Sequence, residues 1–373
     1  MSKKSFRVFA TCDIGKDAIQ LLRDRGYDVE VYPQSDPPPK KLIIEKVASG
    51  IDGLITTLRD KIDAEVFEAG KGTLKVVAQD AVGFDNIDRA DANKYKIPFT
   101  HTADVLTEAT AEFAFLIMAS AARKMWSSER LVREQKWGAW HPFLPFLGDE
   151  ITGKTIAVIG TGRIGLAMIK KCVGFDMNIL CYDAAYENKY YTERIQQVMD
   201  LRHDLGLTKE KNWIRYATLE SALEQADFVS VHVPLIRPGE GGTPTLHMFN
   251  EKTFRMMKPS AYFVNTSRGP VVDEQALHKA LKENWIAGAA LDVFEKEPLP
   301  ADSPLRDVAI EDRIRLFHHF ASGANITRLS TDPNKGMAGR TVQGLIDVLE
   351  GNHGGDVTKM PFVVNKEAFK PAN

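Results

Sequence analysis

The chain has 373 residues, enough for two domains of ordinary size, each able to bury a core of its own. Lys and Arg number 48 against 50 Asp and Glu, a formal charge of -2, so the basic excess that nucleic-acid binding or attachment to an anionic membrane requires is absent and small metabolites are the expected partners. Cys12, Cys172 and Cys181 are odd in number and widely spaced, the start Met-Ser-Lys-Lys-Ser-Phe-Arg carries no signal-peptide core, and no apolar stretch reaches ~18 residues, so a soluble protein of the reducing cytoplasm is expected.

Residues 7 to 11 read as a strand, 14 to 25 as a helix and 28 to 32 as a second strand, which begins a β-α-β alternation. Beyond the loop Pro37-Pro38-Pro39, the runs Ile51 to Ile55, Leu74 to Ala78 and Ile97 to Thr100 continue it, so the first hundred residues predict a small open α/β sheet of their own. From Leu106 to about Val132 apolar residues recur at helical spacing without a breaker, which predicts one long helix and a hinge element leading into a second domain.

That second domain announces itself at Thr155-Ile-Ala-Val-Ile-Gly160-Thr-Gly162-Arg-Ile-Gly165, where an apolar strand breaks into three glycines and resumes at helical spacing through Ile164, Met168 and Cys172. Gly160 permits a tight turn, Gly162 lets the backbone approach a pyrophosphate, and Gly165 lets the helix pack close to the strand, so that a dinucleotide's phosphates can meet the helix N-terminus. Arg163 and Ile164 join the three glycines as cofactor-binding candidates. A second apolar run, Asn178 to Tyr182, ends in Asp183, ~20 residues beyond the turn, where a carboxylate can accept hydrogen bonds from ribose hydroxyls and repel a 2′-phosphate. NAD is therefore favoured over NADP, with Lys189 nearby keeping NADP open.

Further strands are expected at Phe228 to Val233, Ala261 to Asn265, Ala287 to Leu291 and Ile314 to Phe317, with a helix over Glu274 to Glu283, as in a doubly wound sheet. Two connections are longer than such a sheet needs. Tyr186 to Tyr216 is charged and reads as a solvated surface helix; Arg237 to Pro244 is rich in glycine and could overhang the cofactor or simply be a surface loop.

Polar residues gather where three strands end: Thr266-Ser267-Arg268-Gly269, Asp292 to Glu297, and His318-His319. Ligands of open α/β sheets sit beyond those carboxyl ends. A guanidinium at Arg268 offers paired planar donors to a carboxylate and can polarise an adjacent carbonyl. Glu295 competes with Glu297 for any role, and only one of the adjacent His318 and His319 can point into the cleft. If one histidine meets one carboxylate, the anion favours the charged imidazole and the pair makes a general acid for protonating a carbonyl. No His-Glu-x-x-His and no paired cysteine spacing is present, so no metal is expected; no G-x-S-x-G elbow argues for a hydrolase.

Taken in order, Ala81-Val82-Gly83-Phe-Asp-Asn-Ile-Asp88, Val105 to Phe113, the glycine turn, Val231-His-Val-Pro-Leu235, Val264 to Val272, Gly288 to Pro298 and His319-Phe-Ala-Ser322 resemble the D-isomer-specific 2-hydroxyacid dehydrogenases, and within them the glyoxylate and hydroxypyruvate reductase group, over nearly the whole chain. The resemblance implies a Rossmann NAD domain (104–318) inserted in a flavodoxin-like substrate domain (1–103 and 319–373), both doubly wound parallel sheets, with Pro361 to Asn365 as the C-terminal return. It implies that Arg268 binds the carboxylate and carbonyl of the substrate, that His319 is the acid/base, and that Glu297 partners it. Val82 and Gly83 would present backbone donors to the carboxylate, and Thr107, Pro234, Thr266, Ser267 and Asp292 would contact the cofactor alongside Arg268 and His319. It further implies a homodimer, with Trp137 to Pro142 as the dimer-arm segment and Trp140 approaching the neighbouring subunit's site.

The expected reaction is reversible reduction of a short 2-oxo acid to the D-2-hydroxy acid with hydride from NAD(P)H. Rivals are a formate or phosphite dehydrogenase of the same fold, a D-lactate or branched or aromatic D-2-hydroxyacid dehydrogenase, and an NAD-sensing corepressor that binds peptides. The family's proline before the catalytic histidine is replaced by His318, and the segments 186 to 216 and 239 to 243 fall outside the common pattern. Leu58, Arg59 and the stretch Phe143 to Phe146 are candidates to shape the side-chain pocket, though hydrophobic packing explains them equally well.

Overall fold

A computed structural model describes residues 5–142 and 146–371. Residues 1–4 and 143–145, on which the expected lack of a signal peptide and part of the aromatic stretch fall, lie outside the described residues. The chain forms two compact units, one of residues 1–106 with 323–373 and the other of residues 107–322.

The first unit holds five parallel strands, β1 (Arg7–Ala10), β2 (Asp28–Val31), β3 (Gly53–Thr56), β4 (Val76–Gln79) and β5 (Phe99–Thr100), in the order β2-β1-β3-β4-β5. This is the flavodoxin-like order. Strands buried on both faces read as near-continuous apolar runs, and β3 and β4 are buried at every position. One face is covered by the helices Lys16–Asp24 and Met337–Leu349 through Ile19, Leu22, Val342 and Leu345; the other carries Ile43, Val47, Val66 and Phe67. The C-terminal return bridges β5 in antiparallel fashion at Val363 opposite Thr100, and Asn365, fully buried, accepts from Phe99 N at 3.0 Å.

The second unit holds β6 (Thr155–Ile159), β7 (Asn178–Tyr182), β8 (Ile214–Tyr216), β9 (Phe228–Val231), β10 (Tyr262–Asn265), β11 (Gly288–Leu291) and β12 (Ile314–Leu316), all parallel, in the order β12-β11-β10-β9-β6-β7-β8. The order reverses direction between β6 and β9, which makes a crevice beyond the carboxyl ends of those two strands, the place where doubly wound sheets take dinucleotides. Two apolar layers sandwich the sheet, one built around Phe249, Phe254 and Phe263, the other around Met118, Met168 and Ile169.

Two expectations need correction. The helix expected from Leu106 to Val132 is two helices, Thr107–Ala122 and Met125–Arg133, because Lys124 adopts a left-handed φ of 49° that breaks the hydrogen-bond ladder. Tyr186 to Tyr216 is not only a surface helix: Lys189–Asp204 is helical, but its last residues form the edge strand β8, registered on β7 with Cys181 opposite Tyr216. The compact units divide at 106/107 and 322/323. Phe320 and Ala321 are bonded to Asp292 inside the second unit. Among the described residues no helix is long and apolar enough to cross a membrane.

Candidate active site

At the end of β6 each glycine of the turn answers a different constraint. Gly160 has φ 95°, and a Cβ there would lie 2.8 Å from the His232 carbonyl carbon; a Cβ on Gly165 would lie 2.0 Å from Gly160 O. Gly162 has nothing within 4 Å of its Cβ position, so the turn is open on the side a phosphate would approach. Gly162 also caps the twelve-residue helix Arg163–Gly174 without any side-chain hydrogen bond, and a helix N-terminus of this kind suits a phosphate. Thr266 adds a further fitting feature: its hydroxyl is buried and has no hydrogen-bond partner among the described residues. An uncapped helix end, an open glycine cradle and an orphaned hydroxyl are what a bound dinucleotide would satisfy.

Asp183 follows β7. Its Oδ2 accepts from Thr161 N at 2.8 Å and Thr161 Oγ1 at 3.1 Å, and its Oδ1 accepts from Ala185 N at 3.0 Å and Tyr186 N at 3.3 Å. Pro234 sits exposed just past β9, and its carbonyl accepts from Thr245 Oγ1 at 2.6 Å. Thr245 N in turn donates to Ile236 O at 2.9 Å, so the base of the glycine-rich loop 237–244 is pinned. Thr107 opens the first helix of the unit.

The chemistry-bearing side chains come from the ends of β10, β11 and β12. Asn265, fully buried at the end of β10, accepts from Ser267 N at 2.9 Å and Ser267 Oγ at 2.8 Å and donates to Arg268 O at 2.9 Å. That amide shapes the loop that carries Arg268, whose Nη1 donates to Ser267 O at 2.8 Å. Sequence reasoning passed over Asn265; the available signal was a polar residue closing an otherwise apolar strand. Gly269 then lets this loop lie against the next one, since a Cβ there would fall 1.8 Å from the Phe294 carbonyl carbon.

Glu297 and not Glu295 meets the histidine. His319 Nδ1 lies 2.9 Å from Glu297 Oε2, while Glu297 Oε1 accepts from Phe294 N at 3.0 Å. Glu295 is engaged elsewhere, 3.1 Å from His247 Nε2 and accepting from Glu274 N at 3.2 Å. Burial pushes the Glu297 carboxyl up, but its hydrogen bond to His319, the Phe294 amide and the charge of Arg268 outweigh that and hold it below the ordinary glutamate value. An ionised Glu297 can only accept, so Nδ1 of His319 carries the proton of that bond. The neighbouring His318 instead stacks on Phe320, ring centroids 5.3 Å apart.

Asp292 directly follows β11 with no exposed surface, and both its oxygens are taken by backbone amides, Phe320 at 2.7 Å and Ala321 at 2.8 Å. Burial raises its pKa against the pull of those amides. Val82 and Gly83 belong to the first unit, where their turn follows β4. Gln79 Nε2 donates to Gly83 O at 3.1 Å, and His101 Nδ1 lies 3.0 Å from Val82 O. Fixing the two carbonyls in this way orients the peptide planes of the turn.

Comparison with known proteins follows the same lines. Residues 115–321 match the family model for the NAD binding domain of D-isomer specific 2-hydroxyacid dehydrogenase. The chain is 42% identical over 365 residues to a glyoxylate reductase of Korarchaeum cryptofilum (strain OPF8), covering 98% of this chain and 97% of that protein. It is 40% identical over 369 residues to a glyoxylate reductase of Thermococcus litoralis, covering 97% and 98%. Among solved structures the TT0316 protein of Thermus thermophilus superposes with a TM-score of 0.79 at 33% identity, covering 96% of this chain and 100% of that one. Sheet order, glycine turn and end-to-end similarity agree, and the chain belongs to the D-isomer-specific 2-hydroxyacid dehydrogenases, in their glyoxylate reductase group.

Proposed function

We propose that this enzyme reduces a short 2-oxo acid of the glyoxylate or hydroxypyruvate kind to its D-2-hydroxy acid, with NADH as the preferred donor and His319 as the acid/base. The observation that carries the reading is the 2.9 Å bond between His319 Nδ1 and Glu297 Oε2, made beside the Arg268 loop. An ionised carboxylate on Nδ1 fixes the tautomer and the orientation of the ring, so that Nε2 is the atom that exchanges a proton with the substrate.

A bound nicotinamide would supply hydride to the carbonyl carbon. His319 Nε2 gives its proton to the carbonyl oxygen as that bond pair moves onto oxygen, and takes a proton back in the oxidative direction. Arg268 offers its planar donors to the substrate's carboxylate and carbonyl, which orients the carbon for attack and stabilises charge growing on the oxygen. The amides of Val82 and Gly83 are the further carboxylate donors in this reading. Gly160, Gly162, Arg163, Ile164 and Gly165 hold the pyrophosphate; Thr107, Pro234, Thr266, Ser267 and Asp292 line the rest of the cofactor path.

Asp183 supports NAD over NADP, since a carboxylate at the end of β7 accepts from ribose hydroxyls and opposes a 2′-phosphate. The buried thiols of Cys172 and Cys181 suit a reducing cytoplasm. The exposed Leu116, Val132, Trp137 and Trp140 offer apolar surface for the homodimer in this proposal.

The test is a panel of glyoxylate, hydroxypyruvate, pyruvate and phenylpyruvate with NADH and with NADPH, run on wild type and Arg268→Ala. Fastest turnover of the two smaller polar acids with NADH, and collapse of kcat/KM in Arg268→Ala, support the proposal. Preference for pyruvate or phenylpyruvate moves the assignment to the D-lactate or aromatic class, and no turnover of any acid favours the corepressor reading.

A further inference from the structure

We propose that Tyr216, delivered by the edge strand β8, is a positioning residue that locks the Asp183 carboxylate in place and thereby sets how strongly the enzyme prefers NAD over NADP. The inference rests on the reading of Asp183 given under Proposed function. It gives a role to the end of the segment 186–216, whose last residues form β8.

The hydrogen-bond directions follow from what each group can do. Asn188 N donates to the Tyr216 hydroxyl at 2.6 Å, the Tyr216 hydroxyl lies 3.0 Å from Thr161 Oγ1, and Thr161 Oγ1 lies 3.1 Å from Asp183 Oδ2. A carboxylate only accepts, so the Thr161 proton points to Asp183. Thr161 Oγ1 is then free to accept, and the Tyr216 O–H donates to it. One directed chain therefore runs from a backbone N–H through two hydroxyls onto the carboxylate. Burial lifts the Tyr216 phenol above its ordinary value, which keeps the proton this chain uses.

The chain fixes two things at once. Thr161 belongs to the glycine turn and is 6% exposed, so its rotor, once directed by Tyr216, ties Asp183 to the turn that would carry the pyrophosphate. Asn188 ends the β7 loop whose Ala185 and Tyr186 amides hold the other oxygen of Asp183, so the same phenol anchors the loop around the 2′ position. A carboxylate held from both sides cannot swing away from a 2′-phosphate, and the repulsion is felt in full. Discrimination of this kind depends on the rejecting group being unable to relax.

Calorimetric titration of the full-length protein with NAD+ and with NADP+ tests this without turnover. Wild type should bind NAD+ at least about tenfold more tightly, and Tyr216→Phe should shrink that ratio about three- to tenfold, the change expected when one hydrogen bond in a charged network is lost. In an Asp183→Asn background, Tyr216→Phe should leave the ratio unchanged, because the phenol acts only through that carboxylate. Should Tyr216→Phe not fold, Thr161→Val cuts the same chain and carries the same expectation. An unchanged ratio in a wild type that does prefer NAD+ overturns the role of Tyr216 and leaves the reading of Asp183 standing. An equal effect of Tyr216→Phe with and without Asp183 overturns it as well. A wild type with no preference for NAD+ ends both.

Discussion

The backbone carbonyl of Asp292 accepts the N–H of His319 at 2.9 Å, and the Asp292 carboxylate takes the next two amides of the chain. His319 has φ 59°, a left-handed conformation that a residue with a Cβ adopts at a cost of roughly 1 kcal/mol or more. The buried clamp of Asp292 offsets that cost and aims the imidazole at Glu297. Asp292→Ala leaves two inward-facing amides unpaired, about 1–3 kcal/mol each. Thermal unfolding should show a fall in Tm of several degrees, and steady-state kinetics a fall in kcat of roughly a hundredfold, because His319, the proposed general acid, would lose its transfer geometry. Asp292→Asn keeps one acceptor and should lie between the two.

Gly269 governs the approach of the Arg268 loop to the Glu297 turn. Gly269→Ala places a methyl group 1.8 Å from the Phe294 carbonyl carbon, a backbone atom with no rotamer to escape into. Overpacking of this kind costs on the order of 1–3 kcal/mol or more and separates the two loops. Circular dichroism melts should show the loss of stability, and kcat/KM should fall further than Tm alone explains.

The depressed pKa of Glu297 has a defined sign. A carboxyl whose folded-state value lies below its unfolded value contributes stability above the unfolded value and loses it as pH falls through the folded one. The His319 to Glu297 bond should thus persist through the ordinary glutamate range, and the acid limb of kcat/KM for 2-oxo acid reduction should fall below that range. Glu297→Gln, which cannot ionise, should remove this acid limb and lower kcat at every pH. An acid limb centred on the ordinary glutamate value in wild type would contradict the assignment.

His232 titrates in the opposite setting. It lies beside the glycine turn with Nε2 2.9 Å from Ser230 Oγ, and burial lowers its pKa from 6.5 to about 4. The unfolded chain takes up the proton first, so stability is full above pH 6.5 and declines as pH falls toward 4, by on the order of 2 kcal/mol. Urea unfolding of wild type and His232→Asn between pH 7 and 4 should show a shallower decline in the variant.

Much of this arrangement was legible because it is encoded locally. Three glycines with distinct spacing, an acid after the next strand and polar residues closing three apolar runs are all short-range patterns, and the alternation of strands and helices carried the two-sheet architecture. What was hidden depends on tertiary contacts or on weak local signals. Nothing in the run around Lys124 marks a left-handed residue, so two helices looked like one. The Ile-Arg-Tyr of β8 is too short after a charged helix to show strand periodicity, and with it went the hydroxyl of Tyr216. Glu295 and Glu297 stand two residues apart and differ only in that His247 claims the first and His319 the second. Asn265 shows in the sequence only as a polar residue closing an apolar strand, and the hold of its amide on the Arg268 loop is a tertiary contact.

The most direct test of the account is the single-turnover rate of glyoxylate reduction by His319→Gln with NADH prebound, measured beside wild type. A loss of about a hundred- to ten-thousandfold in the hydride-transfer rate with NADH affinity retained is the predicted result, as expected for removal of a general acid. A rate within a few-fold of wild type would show that the proton comes from elsewhere and would contradict the role given to His319 and Glu297.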